Sequence, residues 1–202
     1  MKLIVVCASL DLTQPFSATP AWWQLLKAFY EIGVDVIATP YQGPALESLW
    51  WRAAPNPAKW QGDAFKTARD LLRKIAGEKP PVQIDETATP APIDDSASDK
   101  LVRQLVQTFI TPLWLRHLDT LLAKNPDTDA VLILTAPLNH LVGVAEELQR
   151  KHGKPFFYYD GDVPASLPSM SGFASGFRIY QGADPGEYAA VISNSKGGEA
   201  AL

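Results

Sequence analysis

The run FFYYDGDVPASLP carries two aspartates one glycine apart, Asp160 and Asp162. A hard divalent cation takes about six oxygen ligands. Two carboxylates, a diphosphate and water would supply them, as in a metal-dependent phosphotransferase or hydrolase. The same residues also suit a chain leaving a strand. Asp162 can cap a short helix opened by Pro164, and Asp160 can accept from turn N–H groups. On that second reading no metal is bound and Asp160 is a polar group facing a cleft. His140, preceded by Asn139, is the one histidine of three near a predicted strand end. Its ordinary pKa, near neutrality, suits a general base. The alternative for His140 is a surface position in the first turn of a helix.

Two further stretches combine polar and aromatic groups. In LDLTQPFSATP, Asp11 could accept hydrogen bonds from a polyhydroxyl ligand and Phe16 could stack on it. Thr19 reads better as a helix cap, with Pro20 at the first helical position. In LWWR, the rings of Trp50 and Trp51 could pack on the C–H face of a sugar, and Arg52 offers a fixed fork of donors. Large aromatics in a long connection more often fill a satellite core. That leaves Glu47 and Arg52 as better ligand candidates than Trp50.

Several signatures are missing. The sequence holds no Walker A loop, no Gly-x-Gly-x-x-Gly after the first apolar run and no Gly-x-Ser-x-Gly. The histidines lack zinc spacing. Nothing in this chain therefore points to a bound cofactor.

The elements that must position these residues alternate in type. The continuous apolar run at 2–9 reads as a strand buried on both faces, 130–135 as another buried strand, and 34–38, 155–159 and 189–193 as further strands. Phe177 to Tyr180 is a weaker candidate. Thr19 to Gly33 reads as a helix with Trp22, Leu25, Leu26 and Phe29 inward. A second helix starts near Asp63, with Phe65, Ala68, Leu72 and Ile75 on one face. A third carries Leu101, Leu105 and Phe109 and kinks around Pro112. A fourth spans 137–152 with Leu138, Leu141, Val142, Ala145 and Leu148 inward. The excursion at 78–97 is rich in Pro, Thr and Asp and holds at most a weak strand at Val82 to Ile84. The pattern predicts an α/β fold: a doubly wound, Rossmann-like, three-layer domain with a mainly parallel sheet and a crevice at the carboxyl ends of its strands.

The 202 residues fit one domain, 1–202. A net charge of −4 argues against nucleic-acid partners, which select basic patches. No stretch approaches the roughly 20 apolar residues of a membrane span. The lone Cys7, inside an apolar run, reads as a buried small hydrophobe in a cytoplasmic protein. At the other end, Asn194 or Ser195 looks like a cap, and Glu199 to Leu202 begin a helix that stops within a turn. Helix cooperativity makes an abandoned turn a poor terminus, so a downstream domain is expected to be missing from this chain.

The stretches LDLTQPFSATPAWWQLLKAF, PYQGPALESLWWRAAPNP, YYDGDVPASLP and VISNSKGG together resemble the N-terminal half of GT-B-type glycosyltransferases. The similarity is to the spore-maturation or CgeB-like group. That resemblance implies two Rossmann-like domains across a cleft. The N-terminal one holds the carbohydrate or other glycosyl acceptor, and the absent C-terminal one holds the nucleotide-sugar donor. Such enzymes mostly dispense with a metal-binding Asp-x-Asp. By position, Asp11, Phe16 and Thr19 would line the acceptor cleft. Glu47, Trp50 and Arg52 would flank it, and Asn139, His140 and Asp160 would face it. This chain alone would not transfer sugar. The other classes open to the sequence are a stand-alone α/β ligand-binding or regulatory module and the metal-dependent chemistry of Asp160 and Asp162.

Overall fold

A computed structural model describes residues 1–13, 19–64, 97–161 and 182–193, with the side chains of 97–99 excepted. The weak strand at 82–84, the helical face from Phe65 to Ile75, the strand at 177–180 and the terminal helix lie outside those residues.

Six parallel strands form one sheet in the order β3-β2-β1-β4-β5-β6. They are β1 (Lys2–Ser9), β2 (Asp35–Gln42), β3 (Arg52–Ala53), β4 (Ala130–Leu134), β5 (Phe156–Asp160) and β6 (Ala190–Ser193). This is the doubly wound order whose direction of winding reverses between the first and fourth strands. The Val- and Ile-rich run of β1 sits at the centre, paired with β2 on one side and β4 on the other. Its side chains alternate between two cores. Ile4 and Val6 face one, and Leu3, Val5 and the buried thiol of Cys7 face the other.

Helix α1 (Thr19–Glu31) covers the second face with Trp22 and Leu26. The first face is covered by α3 (Thr111–Lys124), through Trp114, Leu118 and Leu122, and by α4 (Val144–His152), through Val144, Ala145 and Leu148. Helix α2 (Ala97–Phe109) lies against α3 and the turn after β4, and leaves Leu101, Leu105 and Phe109 exposed. The sandwich of helices on both sheet faces is the expected three-layer α/β fold.

Three boundaries differ from the sequence reading. The helix expected to kink at Pro112 is two helices. Ile110 separates them, and Pro112 sits in the first turn of α3, where its missing N–H is harmless. The helix expected over 137–152 also divides. Leu138–His140 form a 3-10 turn, Gly143 takes φ +75°, and α4 starts after it. Only glycine adopts that conformation readily, and it leaves Val142 half-exposed instead of inward. Finally, β2 connects to its parallel neighbour β3 without a crossover helix. An aromatic cluster fills the gap. Trp51 is buried and Trp23 packs edge-on against both Trp50 and Trp51. Both indole N–H groups are paired: Trp51 Nε1 donates to Leu46 O at 2.8 Å and Trp23 Nε1 to Leu10 O at 3.0 Å.

Near the last strand, Glu187 accepts from Gly143 N at 2.8 Å, at the start of α4. Gln149 Nε2 donates to Glu187 O, and Phe156 N donates to Gln149 Oε1. These bonds tie the turn before β6 to α4 and β5.

Candidate functional site

The reversal of winding puts the crevice at the carboxyl ends of β1 and β4. Beyond β1, Asp11 turns back on itself: its Oδ1 accepts from Thr13 N at 2.9 Å and from Thr13 Oγ1 at 2.6 Å. A side-chain carbon on Gly43, just past β2, would come within 3.6 Å of Asp11 Cβ. Asp11 thus stands beside the end of β2.

Beyond β4 the chain is held unusually. Thr135 has φ +52°, the left-handed region that costs a non-glycine residue about 1 kcal/mol or more. Its N–H donates to Tyr159 O at 3.0 Å, and Gly161 N donates to Thr135 Oγ1 at 3.3 Å. The strained residue therefore knits the ends of β4 and β5. Gly161 is closely packed: a Cβ there would meet Trp22 at 3.1 Å, so the indole would have to shift by a few tenths of an ångström.

The 3-10 turn follows, pinned by both of its last carbonyls. Gln107 Nε2 donates to Asn139 O at 3.3 Å, and Thr111 Oγ1 donates to His140 O at 2.8 Å. From this turn the His140 ring meets Tyr41, reaching over from β2. Tyr41 OH and His140 Nδ1 share a hydrogen bond that spans the sheet above β1. Asn56 fixes the other partner's strand end, donating to Tyr41 O at 2.9 Å. Beneath, Trp114 stacks on Tyr41 with centroids 5.5 Å apart and planes 20° apart. Trp114 is wholly buried, and its Nε1 has no partner among the described residues. Burial raises the Tyr41 hydroxyl pKa and lowers that of His140 from 6.5 to about 4. At neutral pH both groups are uncharged.

His117 on α3 lies against the same tryptophan, edge-on at 5.8 Å. Its Nε2 is 3.2 Å from Thr39 Oγ1, and Thr39 Oγ1 donates to Pro55 O at 3.0 Å. Desolvation lowers its pKa to about 4 as well.

The sequence candidates separate into groups. Asp11, Asn139 and His140 lie at the crevice, with Asn139 buried. Asp160 ends β5 with no exposed surface, so its carboxyl does not face an open cleft. Thr19 is buried within α1, and its hydroxyl donates to Ser9 O at 3.4 Å. Phe16 and Asp162 lie outside the described residues. Among those that are described, no group of three or more His, Cys, Asp or Glu is placed to hold a metal ion.

Glu47, Trp50 and Arg52 are not brought to the crevice. Arg52 Nη2 bonds Asp35 Oδ2 at 2.8 Å, at the amino end of β2 and so at the opposite edge of the sheet. Glu47 accepts from Ala53 N at 3.1 Å, on the outer side of β3. Trp50 packs on α1, with Lys27 Nζ 5.5 Å from its ring. A strand entered by a crossover begins at the amino edge, and Arg52 is the first residue of β3. That rule, applied to WWRAA, would have placed Arg52 correctly.

Sequence reasoning missed Tyr41, Trp114 and Thr135. Tyr41 was missed because the second strand was expected to end at Ala38, whereas β2 runs to Gln42 and places Thr39 and Tyr41 on one face. A shallow groove of about 480 Å³ lined by Glu146, Gln149, Asp184, Gly186 and Glu187 runs beside α4, apart from the crevice. No described helix is long and apolar enough to cross a membrane.

No known family's sequence profile matches this chain, and no curated protein matches it either. Among solved structures, a protein of unknown function from Vibrio parahaemolyticus is similar over 96% of this chain and 93% of its own. The two share 13% identity with a TM-score of 0.34, which carries no argument about fold or function.

Proposed function

We propose that this chain is the acceptor-binding side of a nucleotide-sugar-dependent glycosyltransferase, working with a second domain that holds the donor. The observation that supports the reading best is a doubly wound sheet whose crevice has polar walls but no phosphate loop. A dinucleotide-binding domain of this strand order would carry glycines at the first strand-to-helix turn. Here the residues after β1 are Leu10, Asp11, Leu12 and Thr13, and Asp11 closes a tight turn. Asp11 and His140 offer hydrogen-bonding groups of the kind a hydroxyl-rich acceptor needs, with Tyr41 beside them. The resemblance of four stretches to GT-B-type enzymes adds to this. Fold alone would not, because the same sheet serves many activities.

The test is a titration followed by amide NMR. Oligosaccharides and polyols are expected to move the resonances of Asp11, Tyr41, Asn139 and His140. UDP-, GDP- and dTDP-sugars are expected to leave them in place. Tight binding of NADH or FMN at those same amides would overturn the reading.

A further inference from the structure

We propose that His140 is a fixed neutral donor, not a base: it presents Nε2–H to an oxygen atom of the ligand in the crevice. The assignment follows from counting protons. A tyrosine hydroxyl carries one proton, and a neutral imidazole carries one on either of its nitrogens. Tyr41 OH has a single hydrogen-bond partner among the described residues, His140 Nδ1. If Nδ1 held the imidazole proton, the hydroxyl would accept it and its own proton would have no acceptor. Tyr41 is half-buried and stacked on the wholly buried Trp114, and burial raises its pKa, so an orphaned hydroxyl proton there is disfavoured. The arrangement that satisfies both groups has Tyr41 donating to Nδ1. The imidazole proton then sits on Nε2.

Nε2 bonds no described group, yet it is not among the polar atoms sealed from solvent without a partner. It is a donor that keeps contact with solvent, on the turn that follows the carboxyl end of β4. The ring cannot easily turn to offer anything else. Tyr41 holds Nδ1, while Thr111 and Gln107 hold the backbone on either side. Burial keeps the ring uncharged at neutral pH, with a pKa near 4. A preset neutral donor can polarise or orient a ligand oxygen without passing a proton to it.

The tautomer stands independently of the proposed glycosyl transfer. That the oxygen belongs to a sugar acceptor rests on that reading. If it holds, the group that deprotonates the acceptor hydroxyl must be one other than His140.

Long-range proton–nitrogen correlation spectra of the nitrogen-15-histidine-labelled chain at pH 7 decide the tautomer. The signals of His140 are those that vanish in His140→Gln. The expected pattern is a protonated Nε2 and a bare Nδ1 that accepts a hydrogen bond. Tyr41→Phe should shift that Nδ1 signal and leave those of His152 alone. A protonated Nδ1, or a charged ring, would overturn the proposal. Transfer by the chain joined to its donor domain gives a second readout. His140→Gln, which keeps an N–H at similar reach, should lose less than about ten-fold in kcat, and His140→Ala more. Equal losses of about 100-fold or greater in both variants would mark a base and overturn the proposal. If no sugar is transferred by the unaltered enzyme, the functional reading fails while the spectra still decide the tautomer.

Discussion

His117 and His140 make the same kind of contact on the same sheet face and end up with opposite uses. Each ring meets a hydroxyl from β2, Thr39 for one and Tyr41 for the other, and Trp114 touches His117 and Tyr41. The difference is a carbonyl. Thr39 has Pro55 O to receive its proton, so its oxygen is left to accept from His117 Nε2–H. Tyr41 has no such carbonyl, so its proton goes to the imidazole. The donor of His117 is consumed inside the fold, whereas the donor of His140 is left for a ligand. One backbone acceptor, placed or withheld, decides which histidine is structural.

The change expected to break this comparison outright is Trp114→Ala. It removes the wholly buried ring that supports both pairs, and truncations of that kind cost about 3–5 kcal/mol. Urea denaturation should show the loss, and both histidines should move toward ordinary titration. A loss below about 1 kcal/mol would mean the two sites do not share a foundation.

Acid comes next in size. The folded pKa of His140, about 4, lies below the ordinary 6.5, so the unfolded chain binds its proton first. Stability is therefore fully present above pH 6.5 and falls as pH drops toward 4, by on the order of 3 kcal/mol for this group. His117 contributes in the same direction, reduced because its ring is less shielded. Carboxylates titrate in the same window, so the measurement is the difference in urea midpoint between pH 7.5 and 4.5 for the natural chain and for His140→Gln. A pH dependence unchanged in the variant would rule out the burial effect at His140.

Two hydroxyl deletions sharpen the comparison further. Thr39→Val strips the partners of both Pro55 O and His117 Nε2–H, at about 1–3 kcal/mol. Tyr41→Phe removes a single bond, at about 1 kcal/mol. Calorimetric melting should rank Thr39→Val as the more damaging. The reverse order would mean that the Tyr41 hydroxyl carries more than one interaction.

Five of the six strands were legible, because runs such as KLIVVCAS and AVLIL suit burial on both faces, whereas the two-residue β3 inside the aromatic connection was not. Helix interruptions were harder. Leu138, Leu141, Ala145 and Leu148 keep one apolar face across Gly143, and periodicity alone cannot register a left-handed glycine between them. Of the site, His140 was visible through its place after a strand. Its partner was not, because Tyr41 and His140 are 99 positions apart and meet only when β2 and β4 flank β1. The roles of Glu47 and Arg52 were misplaced for a related reason. Their charge suggested a ligand, but the direction of the crossover sends Arg52 to Asp35.

Glu47 has a consequence beyond the site. β3 is an outermost strand, and outermost strands offer N–H groups on which a second chain can build. Ala54 N turns inward to Ala38 O, which leaves Ala53 N pointing away from the sheet. Glu47 Oε2 already occupies that donor, and it brings a carboxylate to the margin. With two residues and a charged guard, this border of the sheet gives an intruding strand no row of donors to follow.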